Sequence, residues 1–218
     1  MLSILIGFGG WVVERDKMAL PKKSSPWTLI EERPVYECEF YTAHSDLVKH
    51  RKGNPRAYCS VRFKHFGAAV VPIDHDGCTV LVGQFRFVLN RFTWEVPRGG
   101  GTHDRTAAEV ARTELLEETG LTAKNLLQVS RLWVSPGTTD EWAPGFVAWD
   151  LCQGAPCPEP EEEISLWRLP FSKAVEMVMS GEIDDMGSVS LLLCVHARLL
   201  RGDLPGELLE ALRCGGCS

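Results

Sequence analysis

From Arg98 to Leu121 the chain reads RGGGTHDRTAAEVARTELLEETGL: three glycines in a row, then a helical stretch that ends on glutamates and a glycine. Ala108, Ala111, Leu115 and Leu116 form the apolar stripe of a helix beginning near Arg105, with Asp104 as its expected N-cap and Gly120 beyond its C-cap. Residues three and four apart share a helix face, so Glu114, Glu117 and Glu118 project together. Like charges at these spacings repel by roughly a few tenths of a kcal/mol per pair. They also stand near the helix C-terminus, where the macrodipole disfavours anions. A helix selected for stability alone would avoid this arrangement. A hard divalent cation reverses its sign, because Mg²⁺ (or Mn²⁺) seeks carboxylate oxygens and completes its shell with water and phosphate.

The remainder of the chain is consistent with one domain holding such a site. Its 218 residues suffice for a single core, and 44% hydrophobic with 24% charged residues is a globular composition. The formal net charge of −6 gives no reason to expect nucleic acid or an anionic membrane as partner. Eight cysteines (38, 59, 78, 152, 157, 194, 214 and 217) follow no regular framework and read as reduced thiols of a cytoplasmic protein. The terminal CGGC lacks a second pair at zinc spacing, and no His/Cys cluster has that spacing either. The apolar start MLSILIGFGGWVV is too short for a bilayer span and lacks a basic flank. Residues 1–25 are therefore expected to be an extension outside the fold, with Met18 the more natural beginning.

Period-two alternation over residues 26–66 predicts an N-terminal antiparallel β region. GAAVVPI (67–73) and CTVLVGQFRF (78–87), separated by a turn at DHDG, predict a hairpin. RFTWEVP (91–97) predicts a strand stopped by Pro97 and the glycines. Further strands are expected at about 126–134, 145–151 and over ISLWRLP, and helices over FSKAVEMVMSGEI and 187–200. The fold class is α+β: an α/β/α sandwich of mixed β-sheets over 67–200, with 201–218 as a C-terminal tail.

The stretch 99–121 resembles the Nudix box of the Nudix hydrolases, G-x5-E-x7-R-E-U-x-E-E-x-G-U, where U is a bulky apolar residue. Seven of the nine fixed positions agree: Gly99, Glu114, Leu115, Glu117, Glu118, Gly120 and Leu121. Arg105 stands in place of the motif's glutamate and Thr113 in place of its arginine. In the family those two side chains pair beside the metal-ligand helix, so this chain loses a positioning device but keeps the three carboxylates. Glu109 is a candidate partner for Arg105 at i,i+4. The resemblance implies a Nudix fold and cleavage of a diphosphate joining a nucleoside to another group. It places the metal site on Glu114, Glu117 and Glu118, with Gly99 beside them.

WEVPRGGG, VLVGQFRFVLNRFTWE, the proline of WVSPGTTDE sixteen residues after Gly120, and EEEISLWRLPFSKAVEMVMSGEIDD are similar to the ADP-ribose and ADP-sugar pyrophosphatase branch. That likeness, over about residues 26–196, implies substrate contacts from Arg86, Arg98, Glu95, Trp27 and Pro136. Trp27 in relatives reaches across a dimer to stack on adenine, and a homodimer through the N-terminal strands is implied on the same ground. The branch also implies a general base in the acidic loop, Glu162 first, with Glu161 and Glu163 beside it, and Glu117 assisting from the metal helix. The expected reaction is Mg²⁺-dependent hydrolysis of ADP-ribose, or a related nucleoside diphosphate sugar, to AMP and a sugar phosphate. A domain that binds such a ligand without turnover, and a hydrolase of GDP-mannose or NADH, are the alternatives.

Overall fold

The computed structural model describes residues 23–155 and 163–214. Most of the expected N-terminal extension and the last residues of CGGC lie outside them. The N-terminal region is a four-stranded antiparallel sheet of β1 (Trp27–Glu31), β2 (Pro34–Glu37), β3 (Tyr41–His50) and β4 (Pro55–Phe63). The long β3 carries β1 and β2 end to end along one edge and β4 along the other, with Tyr41 opposite Phe63.

Two further sheets build the main body. Strands β5 (His65–Pro72), β8 (Arg98–Thr102), β9 (Leu121–Trp133) and β10 (Trp142–Gln153) make a mixed sheet in the order β8-β5-β10-β9, with β10 parallel to β5. Strands β6 (Cys78–Arg86), β7 (Arg91–Glu95) and β11 (Ser165–Pro170) make an antiparallel sheet in the order β11-β6-β7. The hairpin expected between 67–73 and 78–87 is thus corrected. Its two strands enter different sheets and touch through a single bridge, Ile73 to Thr79. Ala68–Val71 of β5 and Val80–Val82 of β6 are unbroken apolar runs, and a strand segment buried on both faces carries no alternation to betray its partner.

Alternate residues of β5 supply two cores. Phe66, Ala68 and Val70 face helix α1 (Ala107–Thr119), meeting Val110, Ala111 and Leu115. Ala69, Val71 and Ile73 enter the larger core with Leu81, Val96 and Leu169 from the second sheet. That core is closed by α2 (Phe171–Ser180), α3 (Met186–Arg201) and α4 (Gly206–Cys214). The layered α+β architecture is as expected, but 201–214 is no tail: Leu204 and Leu208 of that segment are buried in the main core. Cys78 is disulfide-bonded, which corrects the expectation of reduced thiols throughout, while Cys38, Cys59, Cys152, Cys194 and Cys214 are free. Among the described residues no helix is long and apolar enough to cross a membrane.

Candidate active site

The glycine run is a strand, not a stop. β8 pairs with β5, Arg98 opposite Ala69 through Thr102 opposite His65. Two of its glycines let α1 lie directly on it: a Cβ at Gly101 would collide with the Val110 side chain, and one at Gly99 would collide with the Glu114 carboxylate. The helix begins two residues later than Asp104 would dictate. Thr106 caps it, its hydroxyl accepting from Glu109 N at 3.2 Å while Glu109 Oε2 accepts from Thr106 N at 2.8 Å, a reciprocal capping box. Gly120 ends it with φ of 73°, as its position predicted.

This frame sets Glu114 against the backbone of Gly99 and buries Glu118, which is 4% exposed and accepts from Arg98 N at 2.9 Å. Glu117 is half-buried on the same face. An all-oxygen donor set beside a backbone with no side chain in the way suits a hard divalent cation. Asp74, His75 and Asp76 also bring their ligand atoms within 4.8 Å of one another, but Arg168 already pairs with both aspartates.

The two departures in the box meet each other. Arg105 Nη2 donates to Thr113 Oγ1 at 2.5 Å, so an arginine at the first position bonds a hydroxyl at the second. The expected Arg105–Glu109 side-chain pair does not form. Glu109 spends its carboxylate on Thr106, and Arg105 reaches its backbone carbonyl at 3.5 Å instead.

Next to the acidic face lies a cavity of about 680 Å³, the size of a small-ligand site. Arg86, Arg98 and Gly99 form part of its wall, Phe40, Tyr41 and Phe63 an aromatic part. Glu95 fixes the arginines. Arg86 donates to it through Nε at 2.9 Å and Nη2 at 2.6 Å, and Arg98 Nη2 stands 2.8 Å away. Burial alone would push the Glu95 carboxyl up. The Arg86 hydrogen bonds, the Arg98 charge and the Thr93 hydroxyl overcome that and bring it down to about 2. Glu95 was expected to touch substrate; with its side chain 2% exposed and its oxygens occupied, it holds the residues that can.

The other expected residues are dispersed. Trp27 is outside the cavity wall, packed edge-on to His50 and Tyr58 beneath the Arg56 guanidinium. Pro136 is exposed in the loop between β9 and β10, which is tethered to β4 through Tyr58 Oη to Gly137 O at 2.9 Å. Glu163 is exposed just before β11, and Glu161 and Glu162 lie outside the described residues. Besides the aromatic wall, three polar cavity residues escaped sequence reasoning. Glu141 is half-buried, and its carboxyl is raised by that burial against the opposing pull of Arg98. His65 has a buried Nδ1 with no hydrogen-bond partner among the described residues. Asp185 binds Arg98 Nη1 at 2.5 Å. None has a local motif; only the Asp–Asp pair after GEI, ahead of a helix, offered a signal, for a cap at Asp185.

Comparison with known proteins agrees with this geometry. The NUDIX domain profile matches residues 63–186. An ADP-ribose pyrophosphatase of Bacillus subtilis is 34% identical over 125 residues, covering 56% of this chain and 68% of its own. Another from Mycobacterium tuberculosis is 34% identical over 142 residues, 62% and 67% of the two chains. A GDP-mannose pyrophosphatase of Salmonella arizonae is 35% identical over 131 residues, 56% and 69%. The crystal structure of an ADP compounds hydrolase superposes with a TM-score of 0.75 at 20% identity, over 84% of this chain and 100% of that one, a likeness of fold. With the profile spanning more than half the chain and laid over the glycine strand and acidic helix, the protein belongs to the NUDIX domain family.

Proposed function

We propose that the protein is a Mg²⁺-dependent pyrophosphohydrolase that splits ADP-ribose, or a related nucleoside diphosphate sugar, into AMP and a sugar phosphate. The observation that carries this reading is the continuity of the wall. Arg98 and Gly99 line the cavity, and the same two residues abut Glu118 and Glu114. A diphosphate there lies between two guanidiniums and an acidic helix face. The names of relatives as ADP-ribose and GDP-mannose pyrophosphatases support the substrate class.

Arg86 and Arg98 take the non-bridging oxygens, bonds made stronger by charge on both partners. Mg²⁺ (or Mn²⁺) held by Glu114, Glu117 and Glu118 beside Gly99 would neutralise the diphosphate and polarise a phosphorus. A carboxylate of the 161–163 run, Glu162 by preference, takes the proton of the attacking water. The water oxygen bonds to phosphorus, the bond to the bridging oxygen breaks, and that oxygen leaves with the other product. The aromatic wall of Phe40, Tyr41 and Phe63 offers its faces to the nucleoside.

A homodimer belongs to the same proposal. Phe87 and Val88 at the tip between β6 and β7 are 90% and 91% exposed, and Leu29, Ile30 and Tyr36 are exposed on the N-terminal sheet, apolar side chains that a second copy would cover. Trp27 would meet a nucleobase at such an interface. Sedimentation at micromolar concentration checks the dimer.

The activity is tested by incubating the protein with Mg²⁺ and a panel of ADP-ribose, ADP-sugars, GDP-mannose and NADH while following nucleoside monophosphate. AMP from ADP-ribose is the expected result. GMP from GDP-mannose alone would shift the substrate, the second reading that the relatives favour. Calorimetric binding of ADP-ribose with no product would make the domain a sensor.

A further inference from the structure

Helix α3 starts against the cavity, and its first residues hold Arg98. Asp185 caps the helix, its Oδ1 accepting from Gly187 N at 3.1 Å and its Oδ2 from Ser188 N at 2.9 Å. The same Oδ1 accepts from Arg98 Nη1 at 2.5 Å, while Arg98 Nη2 faces Glu95 at 2.8 Å. The buried Ser188 hydroxyl accepts from Val96 N at 3.0 Å, so the helix start and the 95–98 segment are joined twice.

Gly187 has no backbone reason to be glycine. It is not among the residues with positive φ, and inside a helix alanine is the more stable choice. What glycine supplies is space: a Cβ there would stand 2.9 Å from Arg98 Nη1 and 3.4 Å from Asp185 Oδ1. The guanidinium lies in that gap.

We infer that Asp185 and Gly187 are positioning residues for Arg98: one holds the guanidinium at the cavity wall, the other leaves the room it occupies, and together they set the affinity for a diphosphate. This rests on reading the cavity as a diphosphate site. A long side chain ordered before its ligand arrives does not have to be ordered by the ligand, and binding is tighter by that amount. Charge acts in the opposite sense, because the Asp185 carboxylate offsets the positive charge that the diphosphate seeks. Geometry and charge therefore separate by substitution. Gly187→Ala displaces Arg98 at constant charge. Asp185→Asn keeps an oxygen for the cap and for Arg98 but removes the charge.

The test is calorimetric titration of inorganic pyrophosphate in Mg²⁺ for wild type, Gly187→Ala and Asp185→Asn, each also in an Arg98→Ala background, with melting curves and ADP-ribose kinetics alongside. Gly187→Ala should weaken pyrophosphate about tenfold, raise KM by a similar factor, and leave kcat within about twofold and the melting point no lower. Asp185→Asn should bind at least as tightly as wild type. In the Arg98→Ala background neither substitution should change the affinity. Wild-type affinity in Gly187→Ala, weakened binding in Asp185→Asn, losses that persist without Arg98, or no pyrophosphate binding by the wild type would each overturn the inference. A failure of the ADP-ribose reading shows separately, as wild-type protein that binds pyrophosphate but releases no AMP.

Discussion

Glu95→Gln isolates the electrostatic centre of the site. The substitution keeps the shape of the side chain and an oxygen for the Thr93 hydroxyl, 2.6 Å away, but takes the negative charge from between Arg86 and Arg98. The carboxyl is brought from an ordinary 4.5 to about 2 in the folded protein, which corresponds to a preference of roughly 3 kcal/mol for the ionised form. That figure is a ceiling, since each arginine is 33% exposed and solvent screens its share. The folded-state pKa is the depressed one. The stabilisation is therefore complete above pH 4.5 and disappears as pH falls through about 2. Urea unfolding of wild type and Glu95→Gln should differ by about 2–3 kcal/mol at pH 7 and by only about 1 at pH 3. A difference that is the same at both values, or below about 0.5 kcal/mol at pH 7, would refute the clamp. Turnover should fall with it, because Arg86 and Arg98 lose the anchor that aims them.

Two further outcomes follow from α1 and its neighbours. Gly99→Ala drives a Cβ into the Glu114 carboxylate; the side chain can swing away at a cost of about 1–3 kcal/mol, so Mg²⁺ affinity by calorimetry should fall more visibly than the melting point does. The exchange of Arg105→Glu with Thr113→Arg replaces a neutral-acceptor bond by a charged pair, roughly twice as strong, and should raise kcat/KM if bracing of the metal helix limits turnover; an unchanged value would show that the Arg105–Thr113 bond braces it equally well.

What the sequence revealed, and what it hid, follows from how local each signal is. The helix of Glu114, Glu117 and Glu118 was legible because spacing along one helix fixes which side chains share a face, and Gly120 because a left-handed C-cap selects for glycine. Strand partnership was not legible. The middles of β5 and β6 are unbroken apolar runs, so the turn between them suggested pairing, while the parallel strand that β5 joins, β10, comes some seventy residues later. RGGG suggested a break because glycine weakens strands; in β8 it is the close approach of α1 that calls for glycine, and that is a tertiary fact. Asp104 and Thr106 are both good caps, and Glu109 three residues after Thr106 was the overlooked arbiter. The cavity partners Glu141, His65 and Asp185 come from three distant elements, and nothing short of the folded chain brings them to Arg98 and the aromatic wall.

The measurement closest to the central claim is AMP release from ADP-ribose across a Mg²⁺ titration, for wild type and Glu118→Gln in parallel. The account predicts cation-dependent AMP from the wild type and a rate at least about a hundredfold lower in the variant, the scale of losing a charged group at a developing oxyanion. Release that is indifferent to Mg²⁺, or a variant within about twofold of the wild type, would contradict it.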